Sequence, residues 1–447
     1  MKKILLIISL LLSSLIADRG DLLSSEFIDS KSIDEIQNYL SSSLGDFGLT
    51  AEYSAIMYSI LYETIDQFGN PAVASGMLVF PDDNQKAFPL VTFQHGTQVR
   101  RASAPSMNGF NTLSQAMTTA GFIYMEPDYL GLGQSQIAHP YHLKDVTAYS
   151  VIDMLRAVKQ FCDENNFIQY NNQLFLEGYS EGGYATMAAV KEIEDNLSDE
   201  FQISMSFPMA GAYDLSGVMV DLMLSEEVYP DPYYLPFFVL SYIDMYSLGS
   251  VDDFFLPEYA DILPDLFNGE HSGGYINSFL PDIPITMMKE DVITEFSTNP
   301  NFPFRLALEE NDLYDWVPQN TMYLFHGIID ESVPYENSVV AYNQFIANGS
   351  ENVYLESLNA SYGGHQDAAP FCLLAAYNII STIHMINNLG DINEDAIIDI
   401  LDIVSLSSII LDNQNLSSYQ NWASDLNVDS IINVLDIIEI LNIILNG

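Results

Sequence analysis

A serine flanked by glycines is the first residue of this chain that predicts chemistry. Ser180 lies at the centre of the pentapeptide Gly-Tyr-Ser-Glu-Gly (178–182), between the apolar run 173–177 and the helix-prone run 183–193. A Gly-x-Ser-x-Gly sequence on a strand-to-helix turn is typical of a nucleophile elbow, because the small flanking residues permit a strained turn that lifts the serine hydroxyl toward substrate. We therefore predict that Ser180 is a catalytic nucleophile.

A serine hydroxyl becomes a good nucleophile only when a base accepts its proton and a third group orients that base. After an elbow of this kind the partners follow in the order serine, acid, histidine. His365 stands in a predicted flexible loop past the last predicted strand, so we predict that it is the base, whereas His384 is interpreted as a face residue of the terminal helix. Asp330, which ends the predicted strand 321–329, is the predicted acid, and the adjacent Glu331 is the alternative.

Attack on a carbonyl creates an oxyanion, which needs backbone N–H donors. One donor is expected from Glu181, the residue after the nucleophile, as in other elbows. The second is expected from the turn His-Gly-Thr (95–97), with the Thr97 amide favoured and Gly96 as the alternative. His95 precedes the serine in the chain, so a structural or oxyanion-supporting role is predicted for it.

These residues need a scaffold, and apolar strands alternate with helices through most of the chain. The predicted strands are 88–94, 122–125, 173–176, 203–209, 321–329 and 352–358, and the predicted helices are 106–120, 146–165, 183–193 and 368–386. This rhythm predicts an α/β fold with a mainly parallel sheet and helices on both faces. A short helix over 32–44 and a hairpin over 53–81 precede it.

The rhythm of strands and helices stops over about 216–319, a segment rich in Tyr, Phe, Pro and Asp. An insertion of this size after the sixth strand is where a cap over the active site is expected. Aromatic side chains in such a cap would form an apolar wall around a substrate.

An internal repeat of acidic loops occupies the C-terminal part of the chain. The predicted calcium ligands are Asp391, Asn393, Asp395 and Asp402 in the first loop, and Asp425, Asn427, Asp429 and Asp436 in the second. Oxygen ligands at loop positions one, three, five and twelve match a calcium loop of the EF-hand type. Apolar residues that follow are expected to pack two helices together: Ile400, Leu401, Ile403, Leu406, Val434, Leu435, Ile437 and Ile440.

Composition predicts which partners the protein avoids and where it is located. The chain has 447 residues and a formal charge of −48, which repels nucleic acid and anionic membranes and is typical of a surface adapted to salty water. Residues 1–17 have the basic start, short apolar core and small final residue of a secretory signal, so the mature protein is expected to be secreted. Cys162 and Cys372 are expected as free, buried thiols, because their predicted helices lie on opposite faces of the sheet.

The motifs together resemble the secretory lipase and esterase branch of the α/β-hydrolase fold over about residues 50–387. The resemblance rests on the segments 70–76, 95–97, 128–133, 139–141 and 178–182 and on the loops that carry Asp330 and His365. It implies hydrolysis of small-molecule, lipid or polymer carboxylic esters. A serine peptidase and a catalytically inactive binding protein of the same fold are the alternatives.

The C-terminal repeat resembles a dockerin, a small all-α calcium-binding module. That resemblance implies structural calcium and a cohesin-like or cell-surface partner, although apolar residues replace the usual hydroxyl residues before the last ligands. The expected organisation is a signal peptide at 1–17, an α/β-hydrolase domain at 18–387 and the dockerin-like module at 388–447. No cofactor is expected for catalysis.

Overall fold

The computed structural model describes residues 18–45, 49–412 and 416–446, so the predicted signal segment 1–17 lies outside the described residues. Its strands are β1 (Leu22–Lys31), β2 (Ala55–Ile65), β3 (Pro71–Pro81), β4 (Lys86–Gln94), β5 (Ile123–Pro127), β6 (Tyr170–Tyr179), β7 (Ile203–Met209), β8 (Met322–Gly327), β9 (Val353–Leu358) and β10 (Asn387–Asn388). They form one sheet in the order β1-β2-β3-β5-β4-β6-β7-β8-β9, and β10 pairs with β4. The pairs between β5 and β9 in this order are parallel, and β1, β2, β3 and β10 pair antiparallel.

Helices cover both faces of this sheet. Those around it are α1 (Ile33–Leu44), α2 (Thr112–Thr119), α3 (Lys144–Glu164), α4 (Glu181–Asn196), α13 (Glu336–Ala347) and α14 (His365–Ile380). Side chains alternate along β6, so that Leu174 and Leu176 join the core of α3 and α4 while Phe175 joins the core of α1, α2 and α14. Cys162 and Cys372 belong to these two different cores and are free and buried, as predicted.

The segment between β7 and β8 is built from short helices. They are α5 (Val218–Met223), α6 (Tyr234–Tyr246), α7 (Val251–Phe254), α8 (Pro257–Ala260), α9 (Leu263–Leu266), α10 (Gly273–Asn277), α11 (Glu290–Thr298) and α12 (Pro303–Glu310). Their aromatic side chains join the same core as α3 and α4; the buried members include Tyr233, Phe237, Phe238, Tyr242, Phe254, Phe296 and Phe304. This part of the chain therefore packs on the side of the sheet that carries the nucleophile helix.

Two sequence predictions of secondary structure are wrong in detail, and one strand was not predicted. The predicted helix 106–120 is a 3₁₀ turn (Pro105–Met107) followed by α2, because Gly109 has a φ of +75° and breaks the helix. The predicted helix 368–386 begins at His365 and ends at Ile380, so His365 is the first residue of a helix and not part of a flexible loop, and His384 lies beyond the helix. Strand β1 was not predicted, since its side chains are mostly exposed and give no apolar alternation.

The C-terminal repeat folds into α15 (Ile400–Asp412), α16 (Ser418–Ser424) and α17 (Val434–Asn446). Leu406 and Ile440 are fully buried, and Ile403 and Ile437 pack against them, as predicted. The other four predicted packing residues are wrong, because they lie on the outward faces of α15 and α17: Ile400, Leu401, Val434 and Leu435 are 51–61% exposed. Of the described helices, none is long and apolar enough to cross a membrane.

The repeat also packs against the sheet. Ala87 of β4 belongs to the same buried cluster as Leu406 and Ile440, and Leu389 donates a backbone hydrogen bond of 3.0 Å to Gln85. The indole of Trp422 donates to the Asn84 carbonyl at 3.3 Å. The repeat is thus fixed to the beginning of β4, whose other end leads into the 95–97 turn.

Candidate active site

The turn from β6 to α4 holds Ser180 in the strained conformation of a nucleophile elbow. Ser180 has φ 64° and ψ −123°, a region that L-residues rarely adopt. The flanking glycines are required by contact, because a Cβ at Gly178 would stand 2.2 Å from the Gly182 carbonyl oxygen and a Cβ at Gly182 would stand 1.8 Å from that of Gln94. The glycines of the motif thus let β4, β6 and α4 approach closely enough to fix the serine.

The structure brings Ser180, His365 and Asp330 together in one line of hydrogen bonds. The His365 Nε2 atom lies 2.8 Å from Ser180 Oγ, and His365 Nδ1 lies 2.6 Å from Asp330 Oδ2. The His365 side chain is 1% exposed. His365 is the first residue of α14, and this helix fixes the position of its backbone. In this arrangement a neutral imidazole can accept the serine proton on Nε2 while Nδ1–H donates to the carboxylate.

Asp330 is held by its own turn and by a second histidine. Its Oδ1 atom accepts hydrogen bonds from the Ser332 and Val333 amides at 3.0 and 2.7 Å. His326 Nε2 lies 3.3 Å from Asp330 Oδ2. Burial raises the pKa of Asp330, but hydrogen bonds and electrostatic interactions with the His326 and His365 rings outweigh it and hold the pKa well below its usual range.

His326 was missed by sequence reasoning. It is fully buried in β8, with Nδ1 2.8 Å from Ser338 Oγ and Nε2 2.8 Å from the Val333 carbonyl. The available signal was a histidine inside an otherwise apolar strand, four residues before the predicted acid. A polar residue in such a strand must find a polar partner, and the loop that carries Asp330 supplies it.

Glu331, the alternative acid, contacts a different part of His365. Its Oε2 atom accepts the His365 backbone N–H at 3.0 Å. The carboxylate lies against Gly364, where a Cβ would stand 2.0 Å from the same oxygen. Glu331 therefore fixes the first turn of α14, and Asp330 alone of the two acids meets the imidazole.

The 95–97 turn lies beside the nucleophile. A Cβ built on Gly96 would stand 3.6 Å from Ser180 Cβ, so the backbone of this turn approaches the serine closely. Thr97 Oγ1 lies 2.9 Å from the Tyr141 hydroxyl, and His95 lies with Nδ1 2.7 Å from the Gly96 carbonyl. Glu181 begins α4, where its amide has no partner within the helix.

Two buried carboxyl groups beside the elbow were also missed by sequence reasoning. Oε1 of Glu181 lies 2.8 Å from His139 Nε2, with both side chains almost fully buried. Glu177, three residues before Ser180, is fully buried and neither of its carboxyl oxygens has a partner in the described part of the molecule. Burial raises the pKa of Glu177 to about 8.

A cavity of about 190 Å³ lies between α5, α6 and the Asp330 loop. Its wall is mainly aliphatic and aromatic, and Glu331 is its member nearest in sequence to the triad; the lining includes Met219, Leu222, Met223, Tyr229, Tyr234, Leu235 and Phe238. The Tyr229 hydroxyl donates to the Ser332 carbonyl at 2.8 Å, which ties this wall to the acid loop. An apolar cavity at the loop that carries the predicted acid suits the non-polar part of a substrate.

The two acidic loops have the same internal hydrogen bonds. Oδ2 of Asp391 accepts from the Ala396 amide at 2.8 Å, and Oδ2 of Asp425 accepts from the Ser430 amide at 2.8 Å. Ala396 and Ser430 have φ values of 66° and 64°, the left-handed conformation for which an EF-hand loop uses glycine. The repeat seen in the sequence is therefore a repeat of backbone geometry.

The eight predicted ligands are oxygen donors, which suits a hard cation such as calcium. In the described ranges, however, no group of three or more His, Cys, Asp or Glu side chains is gathered in a geometry that holds a metal ion. The last acids of the loops, Asp402 and Asp436, accept hydrogen bonds from the Ile392 and Leu426 amides at 2.8 and 3.0 Å. The donor chemistry fits calcium, and these loop carboxylates are partly satisfied by loop amides.

No known protein family and no curated protein matches the chain, but solved structures do. The rice cell wall degrading esterase LipA from Xanthomonas oryzae is 28% identical with a TM-score of 0.73, covering 82% of this chain and 98% of that chain. A putative hydrolase from Legionella pneumophila is 26% identical with a TM-score of 0.73, covering 81% and 97%. Lipase A from Candida antarctica is 15% identical with a TM-score of 0.59, covering 82% of each chain, and shows the fold alone. The mainly parallel sheet, its helices and these similarities identify the α/β-hydrolase fold.

Proposed function

We propose that the chain is a carboxylic ester hydrolase of the lipase and esterase type that uses Ser180, His365 and Asp330 as its catalytic triad. The observation that carries the proposal is the pair of short hydrogen bonds, 2.8 Å and 2.6 Å, that link these three side chains. A buried, oriented imidazole beside a strained serine is the arrangement that makes a hydroxyl nucleophilic. Its position on the α/β-hydrolase fold adds support.

The reaction has two halves. Ser180 Oγ attacks the ester carbonyl as its proton passes to His365 Nε2, and Asp330 stabilises the imidazolium that forms. The tetrahedral oxyanion accepts hydrogen bonds from the amides of Glu181 and Thr97. Collapse of the tetrahedral intermediate breaks the C–O bond, and His365 gives its proton to the leaving alcohol. Water then gives a proton to His365 as its oxygen attacks the acyl carbonyl. The acyl C–Oγ bond breaks, and His365 returns the proton to Ser180 Oγ as the acid leaves.

Two observations favour esters over other carbonyl substrates. Among the similar structures, the one that is 28% identical is a rice cell wall degrading esterase. The apolar cavity beside the Asp330 loop suits an acyl chain or another non-polar group. We propose esters of small molecules, lipids or polymers as the substrate class.

The test is hydrolysis of p-nitrophenyl esters of increasing acyl length by the wild-type chain and by Ser180→Ala. We expect turnover by the wild type and a loss of about 10⁶-fold in kcat in the variant. A fluorophosphonate probe should label the wild type and not the variant. Cleavage of aminoacyl amides in preference to esters would assign a peptidase, and a wild-type serine inert to probe and ester alike would assign a binding protein.

We propose that the C-terminal repeat is a dockerin-like module that binds two calcium ions for structure. Asp391, Asn393, Asp395 and Asp402 would hold the first ion, and Asp425, Asn427, Asp429 and Asp436 the second. Support comes from the oxygen-only donors and the left-handed residue at position six of both loops. Calorimetric titration of the full chain with calcium tests it, with two sites expected and none in the Asp391→Ala/Asp425→Ala variant.

The same module carries a surface that fits a protein partner. Exposed aliphatic side chains recur at equivalent positions of the two repeats: Ile397 and Ile431, Ile400 and Val434, Leu401 and Leu435, Val404 and Ile438. We propose that this face binds a cohesin-like or cell-surface protein, since contiguous exposed apolar surface marks interaction sites. Binding of the calcium-loaded chain to immobilised cohesin domains tests it, and Leu401→Asp/Leu435→Asp should abolish the binding.

We also propose that the protein is exported through cleavage of residues 1–17 and acts outside the cell. The basic, apolar and small-residue parts of this segment support it, together with the strongly acidic composition. Amino-terminal sequencing of protein collected from the culture medium should begin at Asp18. Full-length protein that stays inside the cells would contradict export.

A further inference from the structure

A buried pair of titratable side chains stands directly behind the nucleophile. His139 Nε2 and Glu181 Oε1 are 2.8 Å apart, with side chains 5% and 1% exposed. The other imidazole nitrogen, Nδ1, lies 2.7 Å from the Leu130 carbonyl oxygen. Glu181 Oε2 has no hydrogen-bond partner in the described part of the molecule. The hydrogen bonds of the pair therefore join the two side chains to each other and to the Leu130 carbonyl.

The partners fix the number of protons on this pair. A carbonyl oxygen only accepts hydrogen bonds, so His139 Nδ1 must carry a proton. Nε2 faces a carboxyl oxygen, and one further proton must lie between them. Burial raises the pKa of Glu181, but the charge and hydrogen bond of His139 outweigh it, so that the pKa is lowered and the acid is ionised. With one proton on Nδ1 and one shared between Nε2 and the carboxylate, the pair has a net charge of zero.

Other titratable groups face the pair, and four of them are neutral. Burial lowers the pKa of His142 to about 4, so that its ring is neutral. Burial and nearby negative charge raise the pKa of Tyr129, Tyr141 and Tyr234, so that their hydroxyls are neutral too. His95 faces Glu181 from the 95–97 turn, and Asp244 shares a surface cavity with His139.

The location of the pair gives its charge a consequence for catalysis. Glu181 supplies both the carboxylate and the amide expected to bind the oxyanion, and covalent geometry keeps the two within about 6 Å. An uncompensated carboxylate would repel the oxyanion. At about 6–8 Å and an effective dielectric constant of about 20, that repulsion corresponds to a rate loss of about 30- to 100-fold.

We propose that His139 is a positioning residue for the oxyanion hole: it anchors the Glu181 side chain between the Leu130 carbonyl and α4 and cancels the Glu181 charge beside the developing oxyanion. The proposal rests on the proposed ester hydrolysis. It assigns a function to the His-Pro-Tyr segment 139–141, which the triad does not use. It also predicts that loss of the shared proton at alkaline pH slows the chemical step, because the pair then carries a charge of −1.

The experiment compares kcat, KM and their pH profiles for His139→Gln, Glu181→Gln and the double variant. His139→Gln should lower kcat about 30- to 100-fold at pH 8 with little change in KM, because the carboxylate is left uncompensated. Part of that activity should return as the pH falls and the carboxyl group gains a proton. Glu181→Gln should lower kcat less than His139→Gln does. In Glu181→Gln the decline of kcat at alkaline pH should be absent.

The double variant decides between a charge role and a packing role. Removing the carboxylate from His139→Gln should restore kcat to within a few-fold of Glu181→Gln, a strongly non-additive result. Additive losses, or an alkaline decline that persists in Glu181→Gln, would overturn the proposal. If His139→Gln fails to fold, the pH profile of Glu181→Gln still tests the proposal: an absent alkaline decline supports it, and a persistent one overturns it.

Two control variants test whether the pH dependence belongs to the His139–Glu181 pair or to another titratable group. His384→Gln changes a histidine at the opposite end of β5, beside Phe122, and should leave the pH profile unchanged. Glu177→Gln removes the other buried carboxyl group near the elbow, so an alkaline limb that disappears in this variant would assign the limb to Glu177 and overturn the proposal. Failure of the proposed function itself would appear differently, as equal ester turnover by wild type and Ser180→Ala.

Discussion

The catalytic region and the C-terminal repeat hold their polar side chains in opposite ways. Ser180, Asp330 and His365 are far apart in sequence, buried, and joined by hydrogen bonds that exist only in the folded molecule. The carboxylates of the repeat instead accept hydrogen bonds from amides within their own loops. The first site depends on tertiary packing, whereas these hydrogen bonds of the second form within short loops. Different variants should therefore damage the two regions in different ways.

After Ser180→Ala, the largest expected effect is in the catalytic region, from Asp330→Asn. An amide cannot hold His365 in the required tautomer or stabilise its positive charge, so we expect kcat to fall by about 10⁴-fold with little change in stability. Glu331→Gln is the matched control, because it keeps the hydrogen bond to the His365 backbone and should lose at most a few-fold. Kinetics on a p-nitrophenyl ester measure both. Equal losses in the two variants would show that the acid has been misassigned.

The comparison of Asp330 with Glu331 also shows which parts of the site the sequence could predict. Asp330 was chosen from its position at the end of a strand, a feature that follows from local periodicity and from chain order. The roles of Glu331 and His326 depend on where side chains meet after folding, which no local pattern encodes. The same holds for His139, whose partner Glu181 is 42 residues away.

Errors in the elements have a similar origin. The buried strands β4, β6 and β7 were predicted because apolar runs mark them, but β1 is an exposed edge strand without such a run. In the repeat, apolar residues were all expected to face inward, yet Leu401 and Leu435 are exposed. Spacing predicted the acidic loops and their duplication, but it does not say which aliphatic side chains stay exposed.

The next largest effect concerns stability in the catalytic region, from Glu177→Gln. This acid is protonated in the folded protein up to about pH 8, whereas in the unfolded chain it ionises near 4.5. The unfolded state thus binds fewer protons between these values, and stability falls as pH rises through this window. The shift corresponds to about 5 kcal/mol for the wild type. Urea unfolding at pH 4.5 and pH 8 should show the variant free of that loss. A wild type with the same pH dependence as the variant would contradict it.

The repeat should respond to metal removal. If both loops bind calcium in the folded state only, chelation should lower the free energy of unfolding by about 3 kcal/mol for each ion present at 100 times its dissociation constant. The Asp402→Asn and Asp436→Asn variants should each remove about half of the calcium effect. Thermal unfolding with and without chelator measures this, with magnesium as the control ion. A chelator effect that survives in the double variant would place the bound ion elsewhere.

The smallest effect tests where the two regions meet. Asn387 lies in β10 and is buried; its Nδ2 donates to Asp391 Oδ2 at 2.8 Å, and its Oδ1 accepts from Asn171 Nδ2 at 2.8 Å. Asp425, the equivalent of Asp391 in the second loop, accepts only from amides of its own loop in the described chain. The first acidic loop is thus tied to β6, and the second is not.

We expect Asn387→Ala to cost about 1–3 kcal/mol, because it leaves Asp391 and Asn171 with unmet hydrogen bonds. Its more specific effect should be on coupling. In the wild type, calcium should raise the midpoint of unfolding of the whole chain, followed through loss of esterase activity on heating. In Asn387→Ala that protection of activity should weaken, while calcium binding to the second loop stays unchanged. Asn427→Ala, which alters only the second loop, is the matched control and should leave the protection of activity in place; equal protection in the wild type and Asn387→Ala would show that the two regions unfold independently of this contact.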